Sequence, residues 1–149
     1  MARVSSPLYN ARILRLAASI PHAARLPDAQ ATVEKRSPIC GSRVAVDVVL
    51  DGDGRLAALG QEVRACALGQ ASAAVVGAAL PGRDRAEVEH ARDALRAMLK
   101  EGGPPPGPPF EGLEVLLPAR DFKNRHASIL LALEAAAEAI AAAEARAAG

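Results

Sequence analysis

Apolar positions near the start recur at helical spacing. Leu8, Ile13, Leu16 and Ile20 share one broad face, Ser6 is placed as an N-cap, Pro7 suits the first turn and Pro21 ends the helix. A loop runs on through Pro27. From Arg43 the period changes to two: Val44, Val46, Val48 and Leu50 fall on one side, Ala45, Asp47 and Val49 on the other. Asp51-Gly52-Asp53-Gly54 supplies residues that tolerate a tight turn, and Arg55 to Arg64 returns as a partner strand, so an antiparallel hairpin is predicted. Thr32 to Lys35 adds a short third strand. After Cys66 the run Gly69-Gln70-Ala71-Ser72-Ala73-Ala74-Val75-Val76 is small and apolar, as in a buried helix packed against a sheet, and Pro81-Gly82 ends it. Asp84 with Glu87 makes a capping-box start for a helix whose stripe is Val88, Ala91, Leu95, Met98 and Leu99, closed by Gly102-Gly103. Pro104 to Pro109 reads as an extended spacer rather than a ligand for an SH3-type domain. A long Ala-rich helix starts near Ala127, with Ile129, Leu133, Ala136 and Ile140 on one face and Glu134, Glu138 and Glu144 interspersed.

Composition narrows the functional classes. A chain of 149 residues is the length of one domain, and 50% hydrophobic residues with a net charge of +1 exclude a disordered chain or a broadly basic nucleic-acid binder. No Trp, one Tyr and two Phe leave no stacking platform for single strands, so nucleic acid is not an expected partner. Arg12 and Arg15 interrupt the apolar stretch that a signal peptide would need. The acid-free start, with Arg3, Arg12, Arg15 and Arg25, has the composition of a transit peptide, but the segment is read as an ordinary folded helix. The low-charge run Ala65 to Leu80 is too short and too polar to span a bilayer, so no membrane partner is expected.

Most familiar chemical motifs fail on inspection. The Asp-Gly-Asp-Gly segment resembles the start of a calcium loop, but Arg55 and Leu56 occupy places that need an oxygen ligand and a glycine. The glycines from Gly69 to Gly77 have neither dinucleotide-binding spacing nor a phosphate-loop lysine, and no serine sits in a nucleophile elbow. Hydrolase chemistry is therefore not expected. Cys40 and Cys66 are 26 positions apart, too far for a redox dithiol and too few for a disulfide framework, which points to free thiols in a reducing cytoplasm. Cys40 lies at the entrance to the first hairpin strand and Cys66 at the exit of the second, so the hairpin brings them to one end. Cys66 also begins a helix, where aligned backbone dipoles favour a thiolate. The alternative is that both are small buried hydrophobes.

Leu8-Tyr9 with Ile13, Cys40-Gly41, the Asp-Gly-Asp-Gly hairpin, Cys66-Ala-Leu-Gly-Gln-Ala-Ser-Ala-Ala and Arg125-His126-Ala127-Ser128-Ile129-Leu130 occur in the order found in one family. The chain resembles the NifU N-terminal, IscU and SufU group of iron-sulfur cluster assembly scaffolds from about residue 8 to residue 140. The resemblance implies an α+β fold, a small antiparallel sheet of about three strands with an N-terminal helix and C-terminal helices packed on it. It implies a single domain over 1–149 with a Pro/Gly-rich insertion at about 102–112, more like SufU than IscU. Cys40 and Cys66 match the family's first and second cysteines, and His126 matches the histidine before the third. That third cysteine falls on Ala127, the family's Asp falls on Ser42, and Lys123 lies one position from the motif's lysine.

The implied function is a cytoplasmic scaffold that binds iron or an iron-sulfur cluster through Cys40, Cys66 and His126. It takes sulfur from a cysteine desulfurase, with Cys66 as persulfide acceptor, and serves recipient apo-proteins. Two alternatives follow from the same resemblance: a zinc-dependent sulfur relay of the SufU type, and a degenerate relative that keeps the fold as a protein-interaction module. Four strong ligands are normal for such a site. Completing it here takes an exogenous thiol, a water, or a homodimer in which each chain contributes two cysteines.

Overall fold

The computed structural model describes residues 9–38 and 41–148. Strands β1 (Ala31–Arg36), β2 (Arg43–Leu50) and β3 (Leu56–Arg64) form one antiparallel sheet in the order β1-β2-β3. The third strand is therefore real and longer than its sequence signal, and the alternation in β2 does what its period requires. Val44, Val46 and Val48 are buried on the inner face. The β2–β3 turn is closed by the Asp51 carboxylate, which accepts from the amides of Asp53 and Arg55, and by Gly54 at a φ of +78°. A hairpin turn, not a cation loop, is the outcome.

The first helix is shorter than its pattern suggests. Asn10 is not helical, so the helix α1 spans only Ala11–Ala17, with the Asn10 side chain accepting from the Ile13 amide at 3.0 Å. The expected cap Ser6 and first-turn Pro7 lie outside the described residues. Of the expected apolar face, Ile13 is fully buried while Leu16 and Ile20 pack partly against the core. Helix α2 (Ala67–Ala79) is buried as expected, but it packs chiefly on α1 and on the last helix, and only lightly on β3. The sheet's inner face is already taken. Helix α3 (Arg85–Lys100) opens with the reciprocal Asp84–Glu87 capping box and buries the five stripe residues predicted for it. Hydrogen bonding within that box, with the nearby Arg83 charge, keeps the Glu87 carboxyl below its ordinary range.

Beyond the proline segment the chain forms a 3-10 helix, Glu111–Asp121, that periodicity did not announce. It is held by Arg120, whose guanidinium donates to the carbonyls of Met98 and Gly103 at 2.8 and 2.9 Å and so satisfies orphan acceptors near the end of α3. Helix α4 (Lys123–Ala148) begins four residues earlier than expected. It lies against β1, β2, α2 and α3, and its small residues let those elements approach closely. By length and composition α4, rather than the 65–80 run, is the segment apolar enough to cross a membrane. However, 72% of its most apolar 18-residue window is buried inside the protein, as in a core helix.

The outer face of the sheet is covered as well. His22, with φ +56°, turns the chain so that its carbonyl accepts from the Gln61 amide at 2.8 Å. The following residues lie across β3, where a Cβ on Gly60 would overlap the Ala24 carbonyl oxygen. Asp47, which alternation placed on the face away from the valines, is fully buried beneath this segment. Its carboxylate accepts from Arg25 Nε and Nη2, the Leu26 amide and the Thr32 hydroxyl. Burial alone would push this carboxyl up, but those donors and the guanidinium charge outweigh it and hold it below the usual range.

Candidate functional site around Cys66

The register that pairs Arg43 with Arg64 brings the start of β2 and the end of β3 to the same edge of the molecule. The described residues on either side of the β1–β2 connection bond to one another. The Ser37 amide donates to the Ser42 carbonyl at 2.8 Å, the Gly41 amide donates to the Ser37 carbonyl at 3.2 Å, and Gly41 takes a φ of +74° that suits glycine. Cys40 lies outside the described residues. Two positions beyond Arg64, Cys66 is the N-cap of α2, half-buried, not in a disulfide, and makes no capping bond with its side chain.

The Cys66 thiol meets the first turns of α4. Its Sγ lies 3.4 Å from Ser128 Oγ, and the Ser128 hydroxyl donates to Ser42 Oγ at 3.0 Å. Because the single Ser128 proton is used toward Ser42, Ser128 accepts from the neutral thiol; rotating the hydroxyl lets it donate to a thiolate. Ser42 and Ser128 are both buried, so a chain of hydroxyls stands directly behind the sulfur. Sequence reasoning assigned Ser128 no role. Its only signal was its place after His126-Ala127 in a family motif.

His126, the other expected ligand among the described residues, is held by backbone carbonyls through one ring nitrogen. His126 is buried, and its Nε2 lies 3.0 Å from both the Ala119 and Arg120 carbonyl oxygens. Carbonyls only accept, so Nε2 carries a proton and links α4 to the end of the 3-10 helix. Lys123 is exposed at the first residue of α4, and His22 and His90 are exposed. Ser42 does not ionise as a carboxylate would, and Ala127 offers a methyl group where the family has a thiol. Among the described residues no group of three His, Cys, Asp or Glu side chains could hold a metal ion. The donors present do not fit a four-ligand zinc or cluster site within one chain.

The described residues of this corner are closely packed. A Cβ on Gly69 would stand 2.5 Å from Ser128 Oγ and 2.8 Å from Ala65 Cβ, and Ser72 Oγ donates to the Ile129 carbonyl at 2.7 Å. Gly69→Ala is expected to lose about 2–3 kcal/mol to overpacking and regain up to about 1 kcal/mol in helix propensity. A net loss of about 1–2 kcal/mol should appear as a lower denaturant midpoint with an unchanged slope.

The chain matches no family model and no curated protein. Solved structures do match. A nitrogen-fixing NifU-like protein (N-terminal) from Brucella abortus superposes with a TM-score of 0.90 at 40% identity, covering 93% of this chain and 96% of that one. A putative iron-sulfur cluster assembly scaffold protein for the SUF system from Fervidobacterium islandicum AW-1 has a TM-score of 0.79 at 19% identity, covering 89% and 96%. A hypothetical protein has a TM-score of 0.78 at 24% identity, covering 88% and 95%. The last two show the shared α+β fold. Together with the three-stranded sheet, the helix order and the Cys66 corner, the Brucella match shows that the chain belongs to the NifU N-terminal, IscU and SufU-like family.

Proposed function

We propose that this protein works in iron-sulfur cluster assembly as a non-enzymatic member of its scaffold family, accepting sulfur on Cys66 from a cysteine desulfurase. The observation that carries the reading is the free, half-buried thiol at the N-terminus of α2, backed by the Ser128–Ser42 hydroxyl pair. In the transfer, the Cys66 thiolate attacks the terminal sulfur of the donor's cysteine persulfide. A new sulfur-sulfur bond forms on Cys66, the donor's breaks, and the donor leaves as a thiolate. The sulfane sulfur keeps its oxidation level, so no further redox partner enters. Ser128 is suited to holding the proton side of this exchange because its hydroxyl serves both states of the sulfur.

Any iron or cluster handled here is cargo held with donors from outside this chain, since Ser42 and Ala127 supply no charged ligand. Those substitutions also favour a second reading, in which the fold acts as a docking module without carrying sulfur. A reducing, cytoplasmic setting suits a free thiol in either case.

Reaction with a cysteine desulfurase and cysteine, without iron, is expected to add one sulfur to the chain. Peptide mapping should place it on Cys66, and Cys66→Ser should lose the adduct. An adduct confined to Cys40, or none while the desulfurase still binds, would overturn the sulfur-acceptor reading in favour of the docking module.

A further inference from the structure

We propose that three arginines on the outer face of the sheet form a docking surface for a carboxylate-bearing segment of a partner protein, beside the Cys66 corner. The register places Arg36 opposite Arg43 and Arg43 opposite Arg64, one arginine from each strand in a single rung. This rung is the last of the sheet. Arg43 adjoins Ser42, and Arg64 is two residues from Cys66.

Like charges directly opposite one another weaken a sheet, so the arrangement is not explained by stability. Compensation is thin. Arg36 and Arg43 share one oxygen of Glu34, at 3.1 and 3.9 Å. Arg64 lies 3.6 Å from Glu62, which Arg25 also approaches at 3.5 Å. Among the described residues, neither Arg43 nor Arg64 makes a side-chain hydrogen bond, and the Arg36 and Arg64 side chains are 68% and 64% exposed. Each guanidinium carries five donors in a planar fork that fits a carboxylate with two parallel bonds. Three such forks in one row fit an extended acidic segment. That this partner is the sulfur donor rests on the proposed function; the surface itself does not.

Amide spectra of the full isotope-labelled chain, titrated with hexaglutamate at low salt, test it. Shifts are expected at 34–36, 43 and 62–64, with at least about a fivefold loss of affinity in Arg43→Gln/Arg64→Gln and a further loss at high salt. The double variant should melt at the parent's temperature or above, because it removes repulsion. No shift at the rung, shifts centred on Arg12 and Arg15 of α1, unchanged affinity in the variant, or tighter binding of a single-stranded oligonucleotide of equal charge would overturn the proposal. So would a lowered melting temperature in the variant, since that would mark the arginines as structural. A positive titration with no sulfur on Cys66 would leave this surface standing and remove only the sulfur-acceptor reading.

Discussion

Replacing Ser42 by Asp and Ala127 by Cys together is expected to turn a weak donor set into a strong one, raising zinc affinity by about 100-fold or more. The parent chain brings the Cys66 thiol and the Ser42 hydroxyl onto one intervening atom, Ser128 Oγ, at 3.4 and 3.0 Å. The corner is therefore assembled, and what it lacks is charge. Ser42→Asp supplies a carboxylate and Ala127→Cys a third cysteine thiolate at the positions that the family fills with those groups. Without metal the new carboxylate would sit at a position only 4% exposed, which costs at least about 1–3 kcal/mol. The metal-free double variant should thus melt below the parent, and zinc at a hundred times its Kd should restore about 2.7 kcal/mol. Calorimetric titration and paired melts with and without zinc measure both effects. An affinity no better than the parent's would show that the two substitutions are not what separates this chain from a metal-binding site.

Asp47→Ala is expected to destabilise the fold by about 2–3 kcal/mol. Asp47 is fully buried, and three groups depend on it: the Arg25 guanidinium, the Leu26 amide and the Thr32 hydroxyl. Arg25 is about half-exposed and Thr32 is exposed, so both can turn to water, whereas the half-buried Leu26 amide loses its acceptor. The carboxyl's folded value is lowered, so its contribution is fully present above its unfolded value of about 4 and is lost as the pH falls through the lower folded value. Urea titrations across that acid range should show the gap between parent and variant closing from the top of the window downwards. A constant gap would mean that the effect is packing rather than charge.

The two sites differ in how much of them was legible. Local signals were reliable where the physics is local. Asp84 and Glu87 cap α3 through bonds three residues apart, and the alternation in β2 needs no distant partner to orient its valines. Asp47 was placed on the correct face, but its burial depends on a segment 22 residues earlier that folds back after a left-handed turn at His22. No period or cap encodes that return. The 3-10 helix was missed because Pro118 and short-range bonding give it neither the period of a helix nor that of a strand. For the same reason α4 was expected at Ala127 rather than Lys123: the four polar and basic residues that begin it carry no apolar stripe.

At the thiol corner, the hairpin argument correctly predicted that the ends of β2 and β3 meet. Ser128 was invisible because it arrives from α4, more than sixty residues after Cys66. The loss of ligands was legible in Ser42 and Ala127 themselves. What the sequence did not show is that Ser42 joins Ser128 in a buried hydroxyl pair behind Cys66, with Gly69 packed closely against it.

The central claim is that this chain keeps the family's sulfur chemistry at Cys66 without the family's full ligand set. Metal, acid-labile sulfide and sulfane sulfur, measured per chain on protein purified anaerobically without chelators and then charged by a cysteine desulfurase, test it most directly. The account predicts close to one sulfane sulfur per chain, lost in Cys66→Ser, with zinc and iron far below one per chain. One tightly held zinc, or a stable cluster with matching iron and sulfide on a single chain, would contradict it.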